Sequence, residues 1–189
     1  MDATLHTRDK IVELARNYIQ TVGYHAFNYK QIATVLNIKN AAIHHYYPSK
    51  EDLGVAVIEK DRSDFECMVA NTANAEPMKR LEGLIYNYER YFNEGHKLCL
   101  IGTFGSAYHD IPEKIQKVTV KYLNVVQDWL IEVMQDGLDT GAFNFEGTAE
   151  EMANKWAALL PGSLQIGRWR GEAYFNELMD GLRTSLKTA

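Results

Sequence analysis

The sequence predicts an all-α fold of about nine helices: a three-helix head at the N-terminus, joined by a fourth helix to a larger helical body. Three observations lead there. Apolar residues recur at spacings of three and four through nearly the whole chain, the period of a helix with one buried face. Gly, Pro and Ser/Thr/Asp/Asn residues punctuate that pattern where helices start and stop. No segment reads convincingly as a strand.

The 189 residues suit one domain or two small ones, and 46% apolar with 24% charged residues is ordinary for a globular chain. The longest stretch without a charge, 17–29, has 13 residues, short of the roughly 18 apolar residues a membrane span needs. The opening MDATLHTRDK has no apolar core, so no secretory signal is expected. Cys67 and Cys99 make neither a disulfide framework nor a zinc quartet, and a cytoplasmic location is expected. Charge is unevenly spread within the net −5: residues 1–50 hold six Lys or Arg against three acids, and the remainder holds 14 against 22. A basic head on an acidic body suits an anionic partner at one end only.

The first helix spans about 7–22, with Ile11, Leu14, Ala15, Tyr18, Ile19 and Val22 on one face. Gly23 stops it, since glycine enters left-handed conformations cheaply. Two short helices follow, at about 29–36 and 40–47. Ile32, Ala33 and Leu36 face inward from one, Ile43 and Tyr47 from the other. The turn Asn37-Ile38-Lys39 puts Asn where a left-handed residue is needed. Two short helices joined in this way are the layout of a helix-turn-helix.

Pro48 ends the third helix, and Ser49 with Asp52 forms a capping box with Asp in place of the usual Glu. The fourth helix covers about 50–70, followed by a polar loop at 71–76. A domain boundary is expected inside this helix, dividing 1–52 from 53–189 without a flexible linker. In the body, helices are expected at about 77–94, closed by Gly95, and at 98–108. A long one starts at Asp110 and Glu113 and runs to 138, with Gly137 and Gly141 bracketing its end. Another follows the Thr148/Glu151 capping box to 170, Gly171 breaks it, and the last covers 172–186.

The stretch from Gln31 to Leu53, QIATVLNIKNAAIHHYYPSKEDL, carries a long pattern: Ile32-Ala33, Ile38, Ile43, Tyr46-Tyr47, Ser49-Lys50-Glu51 and Leu53. An amphipathic helix ending in Gly23-Tyr24 precedes it, and about 135 mostly helical residues follow. This resembles the N-terminal signature of the TetR/AcrR family of transcriptional regulators. Asn37 replaces the usual turn Gly, Lys39 stands where Ser often caps, and Ala41 and Ala42 stand where Gly and Thr are common. These differences bear on which operator is read.

The resemblance implies a DNA-binding head whose third helix enters the major groove. By position, Asn40, Ala41, Ala42 and His44 face base edges. Asn pairs with adenine and Ala meets a thymine methyl, and His44 could donate to a guanine acceptor. Asn40 could instead cap the helix, and one side-chain oxygen does not serve both roles. His45, Tyr46 and Lys50 are placed for phosphates, which position a protein without reading sequence. Lys50 also opens the fourth helix, whose free N–H groups favour a phosphate. Tyr29 and Lys30 open the helix that crosses the DNA backbone, and Tyr47 belongs to the core. His44 and His45 point about 100° apart on a helix and so do not chelate a metal together.

The resemblance also implies a body that dimerises and senses a ligand, with a homodimer on a short palindrome because one head spans few base pairs. The last two helices are the expected interface. Met152, Trp156, Leu159, Leu160, Ser163 and Ile166 on one, and Phe175, Leu178, Met179, Leu182 and Leu186 on the other, form apolar stripes, and Gly162, Ser163 and Gly167 allow close approach. These stripes could be intrachain core, but a shared role with a four-helix interface is expected. For a ligand, Cys99, Thr103, Phe104, Tyr108, Trp129, Trp156 and Trp169 combine aromatic surface with a few polar tips, a combination that plain core also produces. Cys99, in Cys-Leu-Ile-Gly, is either an accessible redox sensor or inert core.

No G-x-S-x-G, H-E-x-x-H, phosphate loop or Glu-x-x-His pair occurs. No enzyme activity, cofactor or metal is therefore expected. The expectation is a ligand-released homodimeric repressor, with a helical DNA-binding or interaction protein lacking an effector as the alternative.

Overall fold

The computed structural model describes residues 6–187. Among them are nine helices: α1 (Thr7–Val22), α2 (Tyr29–Leu36), α3 (Asn40–Tyr46), α4 (Lys50–Thr72), α5 (Pro77–Asn93), α6 (Leu100–Ser106), α7 (Glu113–Asp139), α8 (Ala149–Arg170) and α9 (Glu172–Thr184). The described residues contain no strand, only an isolated bridge between Asn144 and Lys187. Among the described residues no helix is long and apolar enough to cross a membrane.

The chain divides into two compact units. The first holds the residues up to Asp64 and Leu100–Tyr122; the second holds Phe65–Cys99 and the residues from Leu123 onward. Compactness thus cuts α4 and α7 rather than the chain after residue 52. The reason is that α6 packs on α1 and joins the N-terminal helices to a later segment.

In the first unit Ile11, Ala15, Ile19, Ile32, Ile43 and Leu53 are fully enclosed. Phe27 and Tyr24 fill the space beside the α1–α2 connection, and Tyr24 lies 6.0 Å from the Phe104 ring of α6. Gly54 on α4 is tightly approached: a Cβ there would stand 2.6 Å from Ile115. Local chemistry sets the boundaries. Asn28 and Gln31 cap α2 reciprocally, Asn37 takes the left-handed conformation at φ 53, and Ser49 and Asp52 cap α4 through three hydrogen bonds. The Ser49 hydroxyl holds the Asp52 carboxyl below its usual range.

The second unit is built on α5, α8 and α9. Phe92 and Phe175 stack at 4.2 Å, and Gly167 lets them approach, because a Cβ there would lie 2.8 Å from Phe92. Phe65 meets the Trp129 ring edge to face at 5.3 Å. Arg183 forks onto Glu82 at 2.8 and 2.9 Å and reaches Glu89. Thr148 and Glu151 cap α8 as the sequence predicts, and Gly171 at φ 86 separates it from α9.

Several ends differ from expectation. α7 begins at Glu113, after Pro112, and not at Asp110. α6 is shorter, at seven residues. Gly137 does not end α7; it lies inside the helix, where a Cβ would collide with Phe143 at 1.9 Å. Its role is close approach, and Gly141 at φ 71 follows the true end.

Candidate nucleic-acid interface

α3 is split by burial. Ile43 and Tyr47, the residue that closes the helix, are buried, whereas Asn40, Ala41, His44, His45 and Tyr46 are exposed and Ala42 is half-buried. Lys39 is the N-cap and makes no side-chain cap bond, so Asn40 is the first helical residue. The cap role expected as one alternative for Asn40 does not arise, and its amide is left for solvent or a partner. Lys30 is exposed at the start of α2. Tyr46, at the other end of α3, lines a cavity of about 490 Å³ with Arg8 and Val12 of α1 and Val55, Glu59 and Lys60 of α4.

Tyr29 departs from expectation. Its side chain is buried, and its hydroxyl lies 3.0 Å from the Tyr47 carbonyl and 2.5 Å from that of Ser49. Burial pushes the hydroxyl pKa well above its usual value, so it remains a donor. A ring enclosed by its own chain has no face to offer DNA; Tyr29 positions the end of α3 instead. It also holds His44, whose ring stands 4.7 Å away.

Lys50 departs too. Its ammonium donates to the Phe27 carbonyl at 2.7 Å and the His25 carbonyl at 3.3 Å. It sits over the Phe27 and Tyr24 rings at 4.5 and 4.9 Å. Burial lowers its pKa. The charge expected at a phosphate clamps the α1–α2 connection, because backbone carbonyls and two ring faces lie within reach of the stem. Sequence reasoning missed this clamp and the Asn28/Gln31 cap; N-x-x-Q before an apolar helix was the signal for the second.

The model of the TetR family of bacterial regulatory proteins matches residues 11–57, from α1 into α4. A TetR transcriptional regulator from Legionella pneumophila superposes with a TM-score of 0.86 at 29% identity, covering 98% of this chain and 100% of its own. A TetR-family regulator from Agrobacterium tumefaciens gives 0.88 at 27% identity, covering 96% and 97%. The chain is similar to TetR-family regulators over nearly its whole length. A more distant regulator from Saccharomonospora viridis, in complex with choline, shares the fold at 22% identity and a TM-score of 0.69, covering 93% of each chain. No curated protein gives a significant sequence match.

Most of the expected interface residues of the last two helices are enclosed by their own chain. Trp156, Leu160, Ser163, Gly167, Phe175, Met179 and Leu182 are buried within the single chain, and Leu178 is half-buried. Side chains already enclosed have no surface for a second copy. α8 is apolar on two faces, and its outer face carries Leu159, Ile166 and Trp169, exposed by 46%, 47% and 87%. Gly162 lies between them with open space around its Cα.

The expected ligand residues fall to both units. Phe104 and Thr103 are buried in the first, and Tyr108 is exposed there. Cys99, Trp129 and Trp156 are buried in the second. The Trp156 N–H reaches the Ser185 hydroxyl at 3.4 Å, whereas the buried Trp129 N–H has no acceptor among the described residues.

Proposed function

We propose that this TetR-family regulator is a homodimeric repressor that binds a short palindromic operator and is released by a small-molecule effector. The observation that carries the reading is the division of α3: its core side is fixed by Ile43, Tyr47 and the Tyr29 hydroxyl, and its other side leaves Asn40, Ala41, Ala42 and His44 free for base edges. Lys30, His45 and Tyr46 flank that side and serve phosphates. Tyr29 and Lys50 act behind them as positioning residues.

Dimerisation uses α8 through the outer stripe of Leu159, Gly162, Ile166 and Trp169. An exposed apolar stripe at spacings of three and four on an otherwise packed helix suits a two-fold helix bundle. The effector binds in the helical body, with Cys99, Trp129 and Trp156 of the second unit as the candidate contacts. The unpaired Trp129 N–H suits a ligand with a hydrogen-bond acceptor. A relative of the same fold that holds choline supports a small molecule in general. Buried Cys99 favours inert core over a redox sensor. Release requires that the effector bind the DNA-free arrangement better than the DNA-bound one. The operator places the protein in the cytoplasm.

Selection from a random duplex pool, followed by affinity against salt, tests this. An enriched palindrome with a stoichiometry of two chains supports it. Weak, salt-dependent binding with no enriched site overturns it.

A further inference from the structure

We infer that His44 reads an exocyclic amino group, adenine N6 or cytosine N4, through the lone pair of Nε2. This rests on the DNA-binding reading above and assigns the hydrogen-bonding sense of one contact within it.

The His44 Nδ1 lies 3.3 Å from the Pro48 carbonyl oxygen. A carbonyl only accepts, so Nδ1 carries the hydrogen in that bond. A neutral imidazole has a single N–H, which leaves Nε2 with a lone pair and no proton. The ring is held from a second side by Tyr29, at 4.7 Å and tilted by 57°. The Tyr29 hydroxyl in turn bonds to the Tyr47 and Ser49 carbonyls on either side of Pro48. One tyrosine therefore steadies both the ring and the backbone that orients it, and His44 itself is exposed.

An acceptor on α3 has few partners in a major groove. Phosphate oxygens are acceptors and repel it. Guanine offers N7 and O6, both acceptors, and thymine offers O4 and a methyl. Only adenine N6 and cytosine N4 donate there. The geometry thus reverses the expectation that His44 donates to guanine.

The test uses the duplex enriched by the wild-type chain, at about pH 8.5, above the range where histidine ordinarily titrates. Each adenine in it is replaced in turn by purine lacking the 6-amino group, and each cytosine by 2-pyrimidinone lacking the 4-amino group. One position per half-site is expected to lose about three- to tenfold in affinity with the wild type and nothing further with His44→Ala. His44→Gln, which keeps an acceptor, is expected to retain the loss, and thermal melts check that both variants fold. Equal losses for wild type and His44→Ala at every position overturn the assignment. So does uniform weakening of all duplexes by His44→Ala with a shallower salt dependence, the mark of a phosphate contact. If the wild type enriches no site, the repressor reading fails and this assignment with it; an enriched site without amino dependence overturns the assignment alone.

Discussion

Arg16 on α1 and Asp61 on α4 form an ion pair in which the Asp61 carboxylate is 5% exposed. Arg16 also reaches Asp64 at 3.2 Å, and Tyr122 of α7 hydrogen-bonds to the Asp61 carboxylate. Three helices of the first unit thereby meet at one carboxylate. The pair ties the DNA-binding head to the helix that leads out of it.

Loss of the guanidinium leaves Asp61 buried without its cation. Arg16→Ala is expected to destabilise the chain by about 3–5 kcal/mol, measured by urea unfolding.

Burial raises the Asp61 pKa, and Arg16 only partly offsets it. A carboxyl raised in the folded state binds its proton there more tightly than when unfolded. Its contribution is therefore greatest at acid pH and declines as pH rises from about 4, the ordinary aspartate value, through the raised one. Asp61→Asn is expected to remove that decline from the difference between the two unfolding curves. Parallel curves from pH 4 to 7 would refute it.

Lys50→Ala is expected to weaken DNA binding on every sequence while leaving the salt slope unchanged, because the ammonium holds the Phe27 and His25 carbonyls. A phosphate contact would instead lower the slope by about 1. Affinity titrations across a salt series separate the two.

Gly137→Ala runs against helix propensity. Alanine gains roughly 1 kcal/mol over glycine inside a helix, yet the Phe143 ring occupies the position of the new methyl. A net loss of about 1–3 kcal/mol is expected from overpacking. A higher melting temperature would count against the packing described.

Ile166→Glu is expected to yield a monomer with the helix content of the wild type, since Ile166 is outside the core. Sedimentation and circular dichroism read the two quantities. A dimer of unchanged affinity would move the interface off α8.

Capping boxes, the Asn37 turn, the Gly171 break and the order of helices follow from residues within a few positions of one another. Ser49 and Asp52, or Thr148 and Glu151, satisfy free N–H groups whatever surrounds them. The head's inward positions Ile11, Ala15, Ile19, Ile32 and Ile43 are legible for the same reason: each of those helices has a single apolar face. α8 has two, and a helix apolar on both sides does not say which one its own chain covers. Lys50 is similar, for a long flexible stem can place its charge on a phosphate or on a carbonyl 23 residues away. Tyr29 and Gly137 were settled by what arrived opposite them, a pair of carbonyls and a phenyl ring. Local hydrogen bonding thus determined the helices from the residues alone. Only packing between distant segments decided which atoms were spent inside the chain and which were left exposed.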